Sequence, residues 1–188
     1  MLPVTLDLTN MNIAVIGNGP ATLRRLNILD EAGAGKKVAV FGYAVIEDLR
    51  KAAAGRLICH WPSADELKKC HIAFFVDCPE KRALPLAEKL RKAGKLVNVE
   101  DVVEGCNFHN ASIIRRGDLL ISVGTGGKCP ALTARIRQLF EKIFPEEWAD
   151  RLNQLGRARL QWKEEGASMQ ECFEKANKYI DDRKWWVN

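Results

Sequence analysis

The sequence predicts an α/β protein in which a doubly wound parallel sheet is followed by a smaller, largely helical part. Three observations support this prediction. Short apolar runs typical of buried strands alternate with helical patterns through residue 100, a glycine turn follows the first run, and the pattern changes after residue 110. Because parallel strands need long crossover connections, such alternation favours a parallel sheet with helices on its faces.

Five apolar runs are the strand candidates of the sheet, at residues 12–16, 37–41, 57–60, 71–76 and 96–99. Leucines at helical spacing predict a helix between the glycine turn and Gly33, and a second helix is predicted over residues 80–93. Residues 63–69 read as a helical turn. Since the carboxyl ends of parallel strands meet at one edge, we expect the ligand at that edge.

The second part of the chain begins with a hairpin signal. Residues 112–116 and 119–123 are two strand candidates around a Gly117–Asp118 turn. Residues 130–144 carry apolar side chains on one helical face, and Pro145 ends that helix. The remaining residues, 147–188, predict two or three helices with a break near Gly166.

Composition describes a globular chain with a substantial core. The 188 residues are 47% hydrophobic, and no apolar run approaches the roughly 20 residues of a membrane-spanning helix. The N-terminus lacks a secretory signal pattern, so we expect a cytoplasmic protein without a membrane partner. The six cysteines are scattered and form no C-x-x-C pair, which favours reduced thiols over disulfides or a zinc site.

The net charge of +5 is concentrated in residues 111–163, which hold ten Lys/Arg against five Asp/Glu. Such an excess attracts a polyanionic ligand or a nucleic acid, and composition alone favours a solvated helix surface. Because no nucleic-acid-binding module is recognisable, we expect no nucleic-acid partner.

The first glycine turn, residues 17–22, has two of the three glycines of the dinucleotide fingerprint. In a Rossmann-type unit, the first glycine permits the turn and the second lets the backbone approach a pyrophosphate at the helix start. Thr22 stands at the third position, and no acid follows the second strand. An ordinary α/β glycine turn is the alternative interpretation. The candidate cofactor-binding residues are Gly17, Asn18, Gly19, Pro20, Ala21, Gly42, Tyr43 and Ala44.

Several motifs occur in a fixed order along the chain. They are an opening Leu-Pro at residues 2–3, the glycine turn with a basic pair at 24–25, Val-Asn-Val-Glu-Asp at 97–101, and Gly-Gly-Lys-Cys-Pro at 126–130. Together they resemble the precorrin-2 dehydrogenases, also called siroheme synthase N-terminal domains. The family's middle glycine is Asn18 here.

The resemblance implies an NAD-binding domain over residues 1–110, a dimerisation segment over 111–146 and a C-terminal helical segment over 147–188. It implies a homodimer that oxidises the tetrapyrrole precorrin-2 to sirohydrochlorin with NAD. Some members also insert ferrous iron, and this second activity stays open. A non-catalytic NAD- or tetrapyrrole-binding protein of the same fold is the alternative.

Asp101 aligns with the family's catalytic aspartate. Hydride removal from the macrocycle must be accompanied by proton loss, and metal insertion strips protons from pyrrole nitrogens, so one carboxylate can serve both reactions. Without the resemblance, a turn or helix N-cap aspartate is the simpler interpretation.

The substrate that the resemblance implies carries eight carboxylates, which calls for cations and a polar loop in the basic half. The candidate substrate-binding residues are Arg115, Arg116, Thr125, Lys128 and Arg135. Because Arg115 and Arg116 are neighbours on a strand, they face opposite sides and at most one meets the substrate.

Two other site hypotheses are weaker. Residues 124–128 invite a phosphate-loop interpretation, but Ser122 and Cys129 stand where that pattern needs glycine and Ser/Thr. Cys106 and His109 follow Asp101, and the three together offer metal ligands. The family does not usually carry this cysteine or histidine, so we assign no metal site.

Overall fold

A computed structural model describes residues 2–186, which form two compact units that divide between His109 and Asn110. The strands are β1 Ile13–Ile16, β2 Val38–Phe41, β3 Leu57–Ile58, β4 Ile72–Phe75, β5 Leu96–Val99, β6 Ser112–Arg116 and β7 Leu119–Val123. The helices are α1 Pro20–Glu31, α2 Glu47–Ala53, α3 Glu80–Lys92, α4 Pro130–Ile143, α5 Trp148–Glu164 and α6 Met169–Asp182.

The first unit contains a five-stranded parallel sheet with the order β3-β2-β1-β4-β5. The chain runs outward from β1 through β2 to β3 and then returns to pair β4 with the other side of β1. This reversal of strand order opens a crevice at the carboxyl ends of β1 and β4, where such sheets bind ligands. The predicted doubly wound α/β fold is confirmed.

Side chains alternate between two buried clusters, one on each face of the sheet, as the period of two in a strand requires. On one face, Val15 and Val40 pack with Leu26 of α1 and Leu49 of α2. On the other face, strand residues such as Phe75 pack with Ala83, Ala87 and Leu90 of α3. Because helices cover both faces of the sheet, the strands are apolar along their whole length.

The sequence pattern predicts no helix between the second and third strands, where the structure has α2. This helix spans seven residues and buries only Leu49 and Ala53. Two buried positions are too few to produce a recognisable helical periodicity. The third strand is also shorter than predicted: it ends at Ile58, and His60 bends back so that its amide donates to the Ile58 carbonyl at 2.9 Å.

The second unit begins with the antiparallel hairpin of β6 and β7, as predicted. The amphipathic helix α4 follows, and the tail forms two helices, α5 and α6. Trp185 and Trp186, after α6, pack their rings against Trp148 at the start of α5. The tryptophan pair therefore closes a helix end.

The boundary between the two compact units lies one residue before the predicted end of the dinucleotide domain. The division into a dinucleotide domain, a dimerisation segment and a helical segment stays a prediction. The residues Met1, Val187 and Asn188 of these predicted ranges lie outside the described part of the chain. Within residues 2–186, no helix is long and apolar enough to cross a membrane.

Candidate dinucleotide and substrate site

The loops after β1 and β2 touch each other at the carboxyl edge of the sheet. The Gly17 amide donates to the Phe41 carbonyl at 2.9 Å, and the Ile46 amide donates to the Asn18 carbonyl at 3.0 Å. The Asn18 side-chain amide also donates to the Tyr43 carbonyl at 3.4 Å. The structure thus brings the two groups of predicted cofactor residues together, and Asn18 links them.

The glycines of these loops stand where the backbone is too close for a side chain. A Cβ on Gly17 would lie 1.8 Å from the Val76 carbonyl oxygen, and a Cβ on Gly42 would lie 2.4 Å from the Gly17 oxygen. A Cβ on Gly19 would lie 2.8 Å from the Asp77 carboxylate. The loops therefore form a cradle of bare backbone, which suits the close approach of a pyrophosphate.

Thr22, at the third fingerprint position, is fully buried and bonded to the end of β4. Its hydroxyl lies 3.2 Å from the Val76 carbonyl oxygen and 3.0 Å from Asp77 Oδ2, while its amide donates to the same Oδ2 at 2.7 Å. The Asp77 carboxylate therefore caps α1, whose own N-cap residue, Gly19, has no side chain to do so. Sequence reasoning missed Asp77. Its only signal was a position directly after a buried strand.

The start of α1 keeps donors for an anion. Thr22 gives its amide to Asp77, and Pro20 has none. The amides of Asn18, Gly19 and Ala21 have no protein acceptor among the residues that the structure describes. These three amides, at the positive end of the helix, fit a dinucleotide pyrophosphate.

Asp101 lies just after β5, exposed, with no hydrogen bond or ion pair to any described residue. It lines a cavity of about 240 Å³ with acidic side chains from the residues after β5 and from the segment between β4 and the start of α3. Those acids are Asp77, Glu80 and Glu100. Burial, reinforced by the charges of Asp77 and Glu100, raises the pKa of the Cys78 thiol in this cavity to about 11. Cys78 is therefore a neutral thiol at neutral pH.

Backbone strain is concentrated at this edge of the sheet. Ala44, Asp77 and Asp101 have positive φ values of 57°, 51° and 60°, and each lies two or three residues beyond a strand end. Non-glycine residues in this region cost about 1–3 kcal/mol each and tend to occur at functional sites. Ala44 and Asp101 are both predicted site residues, for the cofactor and for catalysis.

The predicted substrate residues all lie in the second unit. The Arg116 side chain already has partners within the protein. Its guanidinium donates to the Phe144 carbonyl at 2.8 Å and pairs with Glu146 at 3.1 Å. Arg115 is exposed on the opposite face of β6, as the strand alternation predicts. Lys128 and Arg135 are exposed, and no described residue forms an ion pair with them. Arg116 thus has a structural task, which leaves Arg115 as the better substrate candidate.

Thr125 orders its own loop. Its hydroxyl accepts from the Cys129 amide at 3.3 Å and lies 3.1 Å from the Thr133 hydroxyl. The loop is therefore tied to the first turn of α4.

The Cys106 side chain forms hydrogen bonds that stabilise the local structure. Its Sγ accepts from the Val99 amide at 3.2 Å and lies 3.2 Å from the Val99 carbonyl oxygen, which fastens the following turn to β5. Within residues 2–186, no group of three or more His, Cys, Asp or Glu side chains is arranged to hold a metal ion.

The strand order, the glycine cradle and the free amides at the start of α1 define a dinucleotide-binding protein. A family model described as "Putative NAD(P)-binding" (NAD_binding_7) matches residues 4–112. The chain belongs to this family. A nicotinamide dinucleotide is therefore the cofactor class.

Curated relatives include siroheme synthases. The chain is 26% identical to the siroheme synthase of Stutzerimonas stutzeri, and the match covers 90% of this chain and 37% of the relative. It is 29% identical to siroheme synthase 1 of Yersinia enterocolitica over 100% of this chain and 38% of the relative. The chain thus spans little more than a third of the length of these relatives. The resemblance derived from the ordered motifs is confirmed.

A solved structure named "SirC, precorrin-2 dehydrogenase" has a similar fold. It matches with a TM-score of 0.80, covering 100% of this chain and 93% of that chain at 21% identity. The likeness extends through both units and supports the fold assignment, including the helical C-terminal segment.

Proposed function

We propose that this protein oxidises precorrin-2 to sirohydrochlorin with NAD as hydride acceptor. The observation that carries the proposal is Asp101: an unpaired carboxylate on strained backbone, at the sheet edge that also holds the glycine cradle. The siroheme synthase relatives supply the substrate class. The homodimer and the cytoplasmic location implied by the resemblance are parts of the same proposal.

The reaction removes a hydride and a proton from the reduced macrocycle. Bound NAD would supply the hydride acceptor, and the amides of Asn18, Gly19 and Ala21 would hold its pyrophosphate. Asp101 takes the proton, because its carboxylate forms no hydrogen bond or ion pair with any described residue. Cys78 does not compete for this role, since its raised pKa keeps it protonated.

The exit of β2 favours NAD over NADP. An enzyme that uses NADP places an arginine near the 2′-phosphate, whereas residues 42–49 contain no lysine or arginine. Two acids, Glu47 and Asp48, begin α2 directly after this loop. Glu47 pairs with Arg50 at 3.7 Å and with Lys51 at 3.9 Å, which leaves Asp48 as the acid that would oppose a 2′-phosphate. We therefore expect a lower Kd for NAD than for NADP.

The second unit supplies the remaining parts of the proposal. Arg115, Lys128 and Arg135 offer exposed cations to substrate carboxylates. Ferrous iron, if inserted, is a second substrate, and the same Asp101 would receive the protons that leave the pyrrole nitrogens.

Asp101→Asn tests the proposal. Asparagine tolerates the left-handed backbone at this position, so the variant removes the charge and keeps the fold. We expect anaerobic NADH formation from precorrin-2 to fall by about 100-fold or more, the usual contribution of a general base. Asp118→Asn, in the exposed hairpin turn, is the control and retains wild-type rates. No NADH formation by the wild-type protein overturns the function, and tight binding without turnover favours the non-catalytic alternative.

A further inference from the structure

Arg25 lies on the buried side of α1. Thr22, Leu26 and Leu29 form the buried stripe of this helix, and Arg25 falls between them at helical spacing. Its neighbour Arg24 is exposed, whereas Arg25 is mostly withdrawn from solvent. A charged residue therefore occupies a position where this helix packs on the sheet.

The guanidinium of Arg25 rests on an aromatic platform. Its Cζ lies 4.9 Å from the ring centroid of Phe74, and Phe108 contacts the same ring edge-to-face at 5.5 Å. Its Nε is buried and has no hydrogen-bond partner, and no salt bridge engages the residue within the described chain. Burial lowers the pKa of Arg25, and the charge of Glu100 only partly opposes this effect.

This arrangement is unfavourable for the protein alone. A half-buried cation without an acceptor loses hydration that a single cation–π contact with phenylalanine only partly replaces. The long stem of an arginine often packs on apolar surface while its head reaches water, but here Nε itself is dry and unpaired. Glu100 supplies an opposite charge but forms no salt bridge with Arg25, so the guanidinium can still pair with the carboxylate of a ligand.

The position of the guanidinium indicates which anion it meets. Helical side chains lean towards the helix start, so Arg25 reaches from the second turn of α1 towards the carboxyl edge of the sheet. Phe74 is the penultimate residue of β4, and Glu100 directly follows β5, beside Asp101. The pyrophosphate amides belong to the first turn of α1, one turn nearer the edge.

We propose that Arg25 is a carboxylate subsite of the first unit, which forms a two-pronged pair with one carboxylate of the tetrapyrrole near Asp101. The proposal rests on the proposed function for its substrate class. Phe74 fixes the plane of the guanidinium, and a planar carboxylate matches its parallel N–H groups. The subsite orients the macrocycle and takes no part in proton transfer.

The experiment compares Arg25→Met with Arg24→Met. The probe is uroporphyrin I, a porphyrin with eight carboxylates that is not oxidised, and its binding is followed by protein fluorescence. We expect the Kd for uroporphyrin and the KM for precorrin-2 to rise about 10-fold or more in Arg25→Met, as for the loss of hydrogen bonds to a charged group. The kcat and the Kd for NAD stay at wild-type values, and Arg24→Met behaves as wild type.

If Arg25 had only a structural role, Arg25→Met would lower the melting temperature without weakening uroporphyrin binding. Methionine can pack on the same Phe74 ring without a charge, so the melting temperature of Arg25→Met is not below that of the wild type. Arg25→Lys, which keeps the charge without the planar fork, gives intermediate binding and covers the case in which the methionine variant does not fold. Unchanged uroporphyrin binding in Arg25→Met, or an equal loss in Arg24→Met, overturns the subsite. A changed Kd for NAD assigns Arg25 to the cofactor instead.

The two proposals fail separately. If the wild type forms no NADH but uroporphyrin binding depends on Arg25, the dehydrogenase function is wrong and the subsite stands. If the wild type turns over and Arg25→Met matches it in KM, the function stands and the subsite is wrong.

Discussion

Thr22 stands where the dinucleotide fingerprint has its third glycine, and a contact with Asp77 explains how the larger residue fits. The two residues are 55 positions apart in the chain, and three hydrogen bonds join Thr22 to Val76 and Asp77. Thr22 fills the space between α1 and β4 and satisfies its own hydroxyl. The departure at this position therefore changes the packing of the cradle without opening it.

Gly19→Ala tests how tightly the Asp77 carboxylate and the cradle fit together. The new Cβ would lie 2.8 Å from Asp77 Cγ and Oδ2, so the carboxylate must shift away from Thr22. We expect the Kd for NAD to rise by about 10-fold, which corresponds to about 1.4 kcal/mol. Isothermal titration calorimetry measures this change, and circular dichroism checks that the fold is kept.

Gly55→Ala is the matched control for this substitution. A Cβ at Gly55 meets nothing within 4 Å, so the same chemical change is made without a clash. NAD binding at the wild-type level in Gly19→Ala would show that the clash is relieved without disturbing the cradle.

The sequence predicts site residues well where a motif is local and poorly where a site depends on distant contacts. Gly17, Gly19 and Gly42 are recognisable because a strand and a glycine turn stand together in the chain. The roles of Asp77 and Arg25 arise from contacts with residues about fifty positions away, which no local spacing encodes. Arg25 had one local signal, a charge within the apolar stripe of a helix.

At the scale of elements, apolar periodicity predicts the strands and the longer helices to within a few residues. The hairpin of β6 and β7 agrees in both strands, because its turn residues and its alternation coincide. The helix α2 is missed because it buries only two side chains. Short elements depend on their neighbours for stability, so their sequences carry little independent pattern.

The short segment before β4 is held by side-chain caps. Ser63 and Glu66 bond reciprocally: the Ser63 amide donates to Glu66 Oε2 at 2.8 Å, and the Glu66 amide donates to Ser63 Oγ at 3.3 Å. His60 Nε2 lies 2.7 Å from the other carboxylate oxygen. These bonds fix the single helical turn Glu66–Lys69, which places Leu67 in the core against the sheet.

We therefore expect the Glu66→Gln substitution to make the melting temperature less sensitive to pH in the acidic range. The Ser63 amide, followed by the His60 and Ser63 side chains, lowers the pKa of Glu66 from 4.5 to about 2. A lowered folded-state pKa stabilises the protein above the unfolded value, and this stabilisation is lost as the pH falls towards the folded value. We expect the wild type to melt at a higher temperature than the variant at about pH 6, with the difference shrinking towards about pH 3.

Glu88→Gln is the control for the pH series. Glu88 is also exposed, and its pKa is lowered by a single surface pair with Lys92 at 2.7 Å. Such a pair contributes little, so this variant stays close to the wild type throughout. A Glu66→Gln difference of the same size at both ends of the series would contradict the assigned cause.

At the scale of the whole molecule, the two units differ in how much apolar surface they expose. The first unit covers both faces of its sheet, whereas α4 in the second unit buries no residue fully. Leu132, Leu139 and Ile143 lie on one face of α4 and are 49%, 56% and 45% exposed. The sequence predicts this amphipathic face, but the surface that covers it cannot be read from one chain.

Leu139→Glu tests whether this face of α4 is the proposed dimer interface. A large exposed apolar patch marks an association surface, and a buried carboxylate there would lack a partner. We expect the wild type to sediment as a dimer and Leu139→Glu as a monomer in analytical ultracentrifugation.

Gln138→Glu adds the same charge to the adjacent exposed position and is expected to remain dimeric. Because the wild-type Leu139 side chain is already exposed in the single chain, the substitution should leave the fold of each protomer intact, as far-UV circular dichroism checks. A wild type that is monomeric throughout, or a dimeric Leu139→Glu, would exclude this face as the interface.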